Sequence, residues 1–91
     1  MAEKIHYALI IPLEFQRILK SLKKRQTLLR QLNVQIAKIM KEPAIGKPLR
    51  NVLRNYRRLH VSSYVLLYEI KQQEIRLLDF DHHDNIYKTY K

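Results

Sequence analysis

The sequence predicts an α+β domain, a helical hairpin packed on a small antiparallel β-sheet, with its elements in the order β-α-α-β-β-β. Three observations predict it. Two consecutive stretches in the first half repeat their apolar residues at the 3.6-residue period of a helix. Three later stretches carry aliphatic, aromatic and β-branched residues in short runs joined by hairpin-length links. One Gly and three Pro among 91 residues leave little irregular chain, and a hydrophobic share of 46% supplies a core. A chain of this length holds one core, so residues 1–91 form a single domain.

The elements follow in order. Lys4 to Ile11 reads as a strand, with Ile5, Tyr7 and Leu9 alternating with His6, Ala8 and Ile10. Pro12 opens a helix, where its missing N–H costs nothing. Phe15, Ile18, Leu19 and Leu22 fall on one face, Glu14 lies near the positive end, and Lys20, Lys23 and Lys24 lie near the negative end. The hairpin closes near Lys24 or Arg25. A second helix runs from about Gln26 to Lys41 with Leu29, Leu32, Ile36, Ile39 and Met40 as its stripe, and Pro43 ends it. Pro43 to Pro48 is a loop, and Leu49 to Arg54 is a short strand or a turn. Three strands follow, at Tyr56–Val61, Tyr64–Ile70 and Glu74–Asp81, linked by Ser62-Ser63 and Lys71-Gln72-Gln73. The segment from Asp84 to Lys91, anchored by Ile86, Tyr87 and Tyr90, is a short helix or an edge strand. One face of the sheet carries the hairpin and the other is expected to be open to a ligand.

Composition removes several function classes. There is no Cys, which excludes disulfides, thiolate metal sites and a Cys nucleophile. The apolar run from Tyr7 to Leu13 is too short to span a membrane and lacks a cleavage pattern, so a cytoplasmic protein is expected. Eighteen Lys and Arg against eight Asp and Glu leave a net charge of +10. Such an excess repels itself in the fold and attracts polyanions through counterion release, which points to nucleic acid or an acidic protein partner.

The stretch GKPLRNVLRNYRRLHVSSYVLLYEI, followed by EIRLLDFDHHDNIY, resembles the RelE/ParE superfamily of type II toxins. The matching places hold Leu49 after the Gly-Lys-Pro loop, the basic strand Tyr56–Val61, Tyr68, the pair His82-His83, and Tyr87. Two arginines of the RelE pattern are replaced, by Val65 and His83. The chain is more similar to the YafQ-like branch, which works with histidines; Arg58, His60-Val61, Tyr64–Tyr68, and His83 with Tyr87 fit it, while Ser63 stands where that branch has an acidic residue. The resemblance implies the toxin of a type II toxin–antitoxin system, an mRNA endoribonuclease that works with the ribosome and is neutralised by a cognate antitoxin. The same resemblance leaves open a ParE-like, non-enzymatic inhibitor of DNA gyrase, or an inactive homologue that only binds antitoxin.

Cutting RNA without a metal requires a base for the 2′-OH proton, an acid for the departing 5′-oxygen, and cations around the phosphorane. Histidine suits both proton roles, and Arg suits the charge role through its donor fork. Alternate residues of a strand share a face, so Arg58 and His60 point together while Leu59 and Val61 point into the core. By analogy with the branch above, His83 is the expected general acid. His60 is then the base or a phosphate ligand, Arg58 the phosphate clamp, and Tyr87 a stacking or positioning residue. Lys47, Arg50, Arg54 and Arg57 are expected to grip the RNA backbone. Each residue also has a structural role open to it: a solvent-facing strand position for His60, a strand-end cap for His82-His83, a core anchor for Tyr87, a solvated face for the arginines. His82 and His83 point to opposite faces or straddle the strand end, so one of them is expected at the site. Neighbouring strand histidines diverge, so no metal site and no cofactor are expected. Asp79, Asp81 and Asp84 orient a histidine or temper the charge.

Overall fold

The computed structural model describes residues 6–49 and 55–90. A five-stranded sheet in the order β1-β5-β4-β3-β2 is built from β1 (Ala8–Ile10), β2 (Lys47–Pro48), β3 (Tyr56–Val61), β4 (Tyr64–Lys71) and β5 (Glu74–His82). Helices α1 (Leu13–Ser21) and α2 (Gln26–Lys41) form the hairpin, and α3 (His83–Thr89) follows β5 directly. The expected α+β order therefore holds, with a two-residue strand added before β3.

Both hairpin helices form for the reasons their sequences give. Pro12 precedes α1, Glu14 sits in its first turn and Lys20 in its last, where each charge complements the helix dipole. Phe15 is fully buried on its inner face, and α2 buries Leu28, Leu32 and Ile39 beside it, with Leu29, Ile36 and Met40 partly covered. The inner stripe of α2 is thus centred one position earlier at its start, on Leu28, than the reading on Leu29. Arg25, at the bend, donates a hydrogen bond to the Tyr64 hydroxyl, and its guanidinium lies 5.1 Å from the centre of that ring. Tyr64 in turn stacks on Phe80 at 5.1 Å, which locks the bend onto the sheet.

The sheet departs from the purely antiparallel one expected. β2 through β5 are antiparallel neighbours, but β1 pairs with β5 in parallel, in the register Ala8↔Glu74, Leu9↔Ile75 and Ile10↔Arg76. Local alternation marks a strand but carries no information on its direction beside a partner far along the chain. β4 is buried continuously from Val65 to Tyr68, so both faces are covered. Leu66 and Tyr68 join Phe15, Leu32, Ile39, Ile75 and Leu77 in the core under the hairpin. Val65 and Leu67 alternate to the other face, where α3 packs on β4 and β5 and buries Ile86. That face is therefore not open throughout: α3 covers it over β4 and β5. Of the stretch Leu49 to Arg54, Leu49 donates its N–H to the Tyr56 carbonyl at 2.9 Å, and the remainder lies outside the described residues.

Candidate active site

Strand β3 sets the first half of the site by alternation. Leu59 and Val61 turn to the core, and Arg58 and His60 turn to the other face. In register, Arg58 stands opposite Leu67 and His60 opposite Val65. The His60 side of this row is exposed, while the Arg58 Nε is buried and has no hydrogen-bond partner among the described residues. An unpaired cationic donor of this kind is costly to bury and is relieved by an anion. Across β2, Lys47 pairs with Arg58 in the antiparallel register, so a second, exposed cation borders the same spot.

Helix α3 brings the second half. His82 is its N-cap, accepting the Asp84 N–H at Nδ1 at 3.3 Å. Asp79 and Asp81 anchor the helix to β5: the Tyr90 hydroxyl donates to Asp79 Oδ2 at 3.2 Å, and Asn85 donates to Asp81 Oδ1 at 3.2 Å. Asp81 also receives the backbone N–H of His82 at 2.7 Å. So held, the helix places Tyr87 over β3. Its hydroxyl lies 3.5 Å from His60 Nε2, at the outer limit of a hydrogen bond, and the Arg58 guanidinium lies 5.6 Å from its ring centre. The His83 ring is 6.2 Å from that of Tyr87, and its Nδ1 is 3.0 Å from Asp84 Oδ1. A carboxylate on one imidazole nitrogen orients the ring and directs the other nitrogen outward.

The fold thus gathers Arg58, His60, Tyr87 and His83 around one spot, with Lys47 at its edge. Arg57 does not join them. It faces the other way and donates to the backbone carbonyls of Gly46 at 2.6 Å and Ala44 at 3.2 Å, which makes it a strut for the loop before β2. Tyr68 completes that strut, donating to the Pro43 carbonyl at 2.6 Å and accepting the Gly46 N–H at 3.0 Å. Arg50 and Arg54 lie outside the described residues. His82 and His83 do not diverge: they straddle the end of β5 with ring centres 4.5 Å apart. Asp84 takes the first of the two roles the sequence left open to it, orienting a histidine, with its Oδ1 3.0 Å from His83 Nδ1. Its signal was present in the His-His-Asp run, but only the turn into α3 shows which histidine it orients. In sum the site offers a paired histidine, a second histidine beside a phenol, and a desolvated guanidinium, the groups that hold a phosphate and move protons around it.

Comparison with known proteins establishes the family and the fold. Residues 9–87 match the family model described as ParE toxin of the type II toxin–antitoxin system parDE. A protein of Methanocaldococcus jannaschii named as the toxin RelE4 is 34% identical over 89 residues, covering 93% of this chain and 95% of that protein. Two solved structures share the fold. The toxin–antitoxin complex RelBE2 of Mycobacterium tuberculosis has a chain 28% identical with a TM-score of 0.68, covering 90% of this chain and 97% of that one. The DinJ–YafQ toxin–antitoxin complex of E. coli has one 17% identical with a TM-score of 0.76, covering 91% and 99%. The chain belongs to the ParE toxin family of type II toxin–antitoxin systems, within the RelE/ParE superfamily.

Proposed function

We propose that the toxin is an endoribonuclease that cuts mRNA by acid–base chemistry on the surface formed by β3 and α3, in the cytoplasm and with the ribosome presenting the message. The observation that carries this reading is the convergence of His60, Arg58 and Tyr87 at 3.5 and 5.6 Å, beside a histidine paired to Asp84. In the reaction His60 takes the 2′-OH proton, the 2′-oxygen attacks phosphorus, and His83 delivers a proton to the departing 5′-oxygen. The products are a 2′,3′-cyclic phosphate and a 5′-hydroxyl end. Arg58, whose buried Nε has no partner among the described residues, holds the phosphorane charge, and Tyr87 fixes His60 and the phosphate. Lys47, and with it Arg50 and Arg54, steers the RNA backbone; Arg57 contributes to the loop that presents Lys47. A cognate antitoxin with an acidic helical segment neutralises the +10 surface and covers the site.

A second reading, a ParE-like gyrase inhibitor, is favoured by Val65: this position is fully buried and offers no charge to a phosphate. Primer extension on a defined mRNA in a reconstituted translation system separates the two. The protein is expected to cut within codons when ribosomes are present, and His83→Ala to lower the cutting by about 10²-fold or more. Unchanged cutting by His83→Ala would remove His83 from the mechanism. No cutting in any condition, together with loss of gyrase supercoiling, would establish the second reading.

A further inference from the structure

We propose that His82, His83 and Asp84 form a binding site for a borderline divalent transition-metal ion such as Zn2+, and that the bound ion switches off RNA cleavage. The switching half rests on the function proposed above; the binding half stands without it.

Three consecutive residues rarely converge. In a strand their side chains alternate, and in a helix they fan apart by about 100° each. Here the chain turns from β5 into α3 at His82, where φ is −57° and ψ is 143°. His82 closes the strand, His83 opens the helix, and the corner brings their rings to 4.5 Å. One donor atom from each of His82, His83 and Asp84 lies within 4.8 Å of the others. Asp84 carboxylate oxygens stand 3.0 Å from His83 Nδ1 and 3.7 Å from His82 Nδ1. An ion at about 2.0–2.1 Å from each donor holds its ligands roughly 3–3.5 Å apart; the separation of His83 from Asp84 already suits it, while His82, whose Nδ1 accepts the Asp84 N–H, has to close on the site. Both histidine side chains are 41% exposed and free to make that adjustment.

The donor chemistry selects the ion. Two imidazoles and one carboxylate, with a position left for water, suit borderline cations and not Mg2+, which prefers oxygen alone. Charge favours a cation here although the chain as a whole is basic. Asp81 is occupied by the His82 N–H and Asn85, and Asp79 by Tyr90; neither is a ligand, but both add negative charge along this end of β5. Two cations border the corner, each across an aromatic ring: Arg58 lies 5.6 Å from the Tyr87 ring centre, and Arg25 lies 5.1 Å from that of Tyr64, which meets His82 edge-on at 6.0 Å. An ion bound at the corner takes a nitrogen of His83 and the carboxylate that orients it, so the general acid is lost while the ion stays. Removing the ion restores it.

Calorimetric titration of Zn2+ into the full chain tests the binding half. Saturable binding of about one ion per chain is expected, weakened about tenfold or more in both His82→Asn and Asp84→Asn and unchanged in His6→Asn. Asn at 82 keeps an oxygen that caps α3, and circular dichroism checks that the fold is retained. No saturable binding, or wild-type affinity in His82→Asn and Asp84→Asn, would overturn the site. In the ribosomal cleavage assay, saturating Zn2+ should stop the wild type, a chelator selective for zinc should restore it, and His82→Asn should keep cutting. Wild-type cleavage that persists with the site filled overturns the switch alone. Absence of cleavage without added metal removes the nuclease reading and the switch with it, and leaves the titration to decide the site.

Discussion

At the scale of single residues, Gly46 shows how the scaffold constrains the site. Its backbone is extended, with φ −73° and ψ 153°, a conformation open to any residue. Glycine is needed there for space: a Cβ would lie 2.6 Å from the Tyr68 hydroxyl and 2.9 Å from the Arg58 carbonyl oxygen. The same hydroxyl bridges Gly46 and Pro43 inside the core, so loop and strand meet with no room between them. Gly46→Ala should therefore destabilise the fold by about 1–3 kcal/mol and displace Arg58. Tyr68→Phe should cost about 1–3 kcal/mol for a different reason, leaving the buried Gly46 N–H without an acceptor. Urea denaturation followed by circular dichroism measures both. A Tyr68→Phe midpoint equal to that of the wild type would mean the loop is held by Arg57 alone.

At the scale of elements, the turns are the weak joints. Ser62 and Gln72 open the two hairpin turns with φ of 58° and 56°, in the left-handed region that a side chain disfavours. Gln72 is exposed, so Gln72→Gly removes the strain and no packing, and should raise stability by about 0.5–1 kcal/mol. An unchanged or lowered denaturation midpoint would refute it. The elements also show what local sequence conveys. Helices α1 and α2 and strands β3 to β5 were legible within a residue or two, because each carries its own period. The parallel direction of β1 and the two-residue β2 were not, because each is defined by a partner strand. The choice between helix and edge strand after Asp84 was settled by His82 as N-cap and by the Asp79 and Asp81 anchors, contacts that span the chain. The site divides in the same way. The period of two placed Arg58 and His60 on one face, but it also placed Arg57 on the other, where the carbonyls of Ala44 and Gly46 take it. The pairing of Asp84 with His83 depends on the corner between β5 and α3, which no periodicity encodes.

At the scale of the whole molecule, eight carboxylates stand against eighteen Lys and Arg, and two of them, Asp79 and Asp81 of the last strand, hold α3 through Tyr90 and Asn85. This choice makes alkaline stability a test of how α3 is fastened. Burial, and then the Asp79 carboxylate, hold the Tyr90 phenol above its ordinary value of 10.0. Burial also raises Tyr68, partly offset by the Gly46 N–H and by Arg57. In the unfolded chain each phenol loses its proton near 10, while in the fold each keeps it to higher pH. The unfolded state then binds fewer protons, so the stability these groups give is present below pH 10 and is lost as pH rises through their folded values. Comparison with Tyr90→Phe isolates this phenol from every charge the two proteins share. At pH 8 the variant should be less stable by about 0.5–1.5 kcal/mol, the worth of one hydrogen bond. As the pH is raised from 8 past 10 the difference should shrink and then vanish, because only the wild type has a phenol to ionise against Asp79. A difference that stays constant across that range would show that the hydroxyl of Tyr90 does not fasten the helix, and would place the work on Asn85 and Ile86.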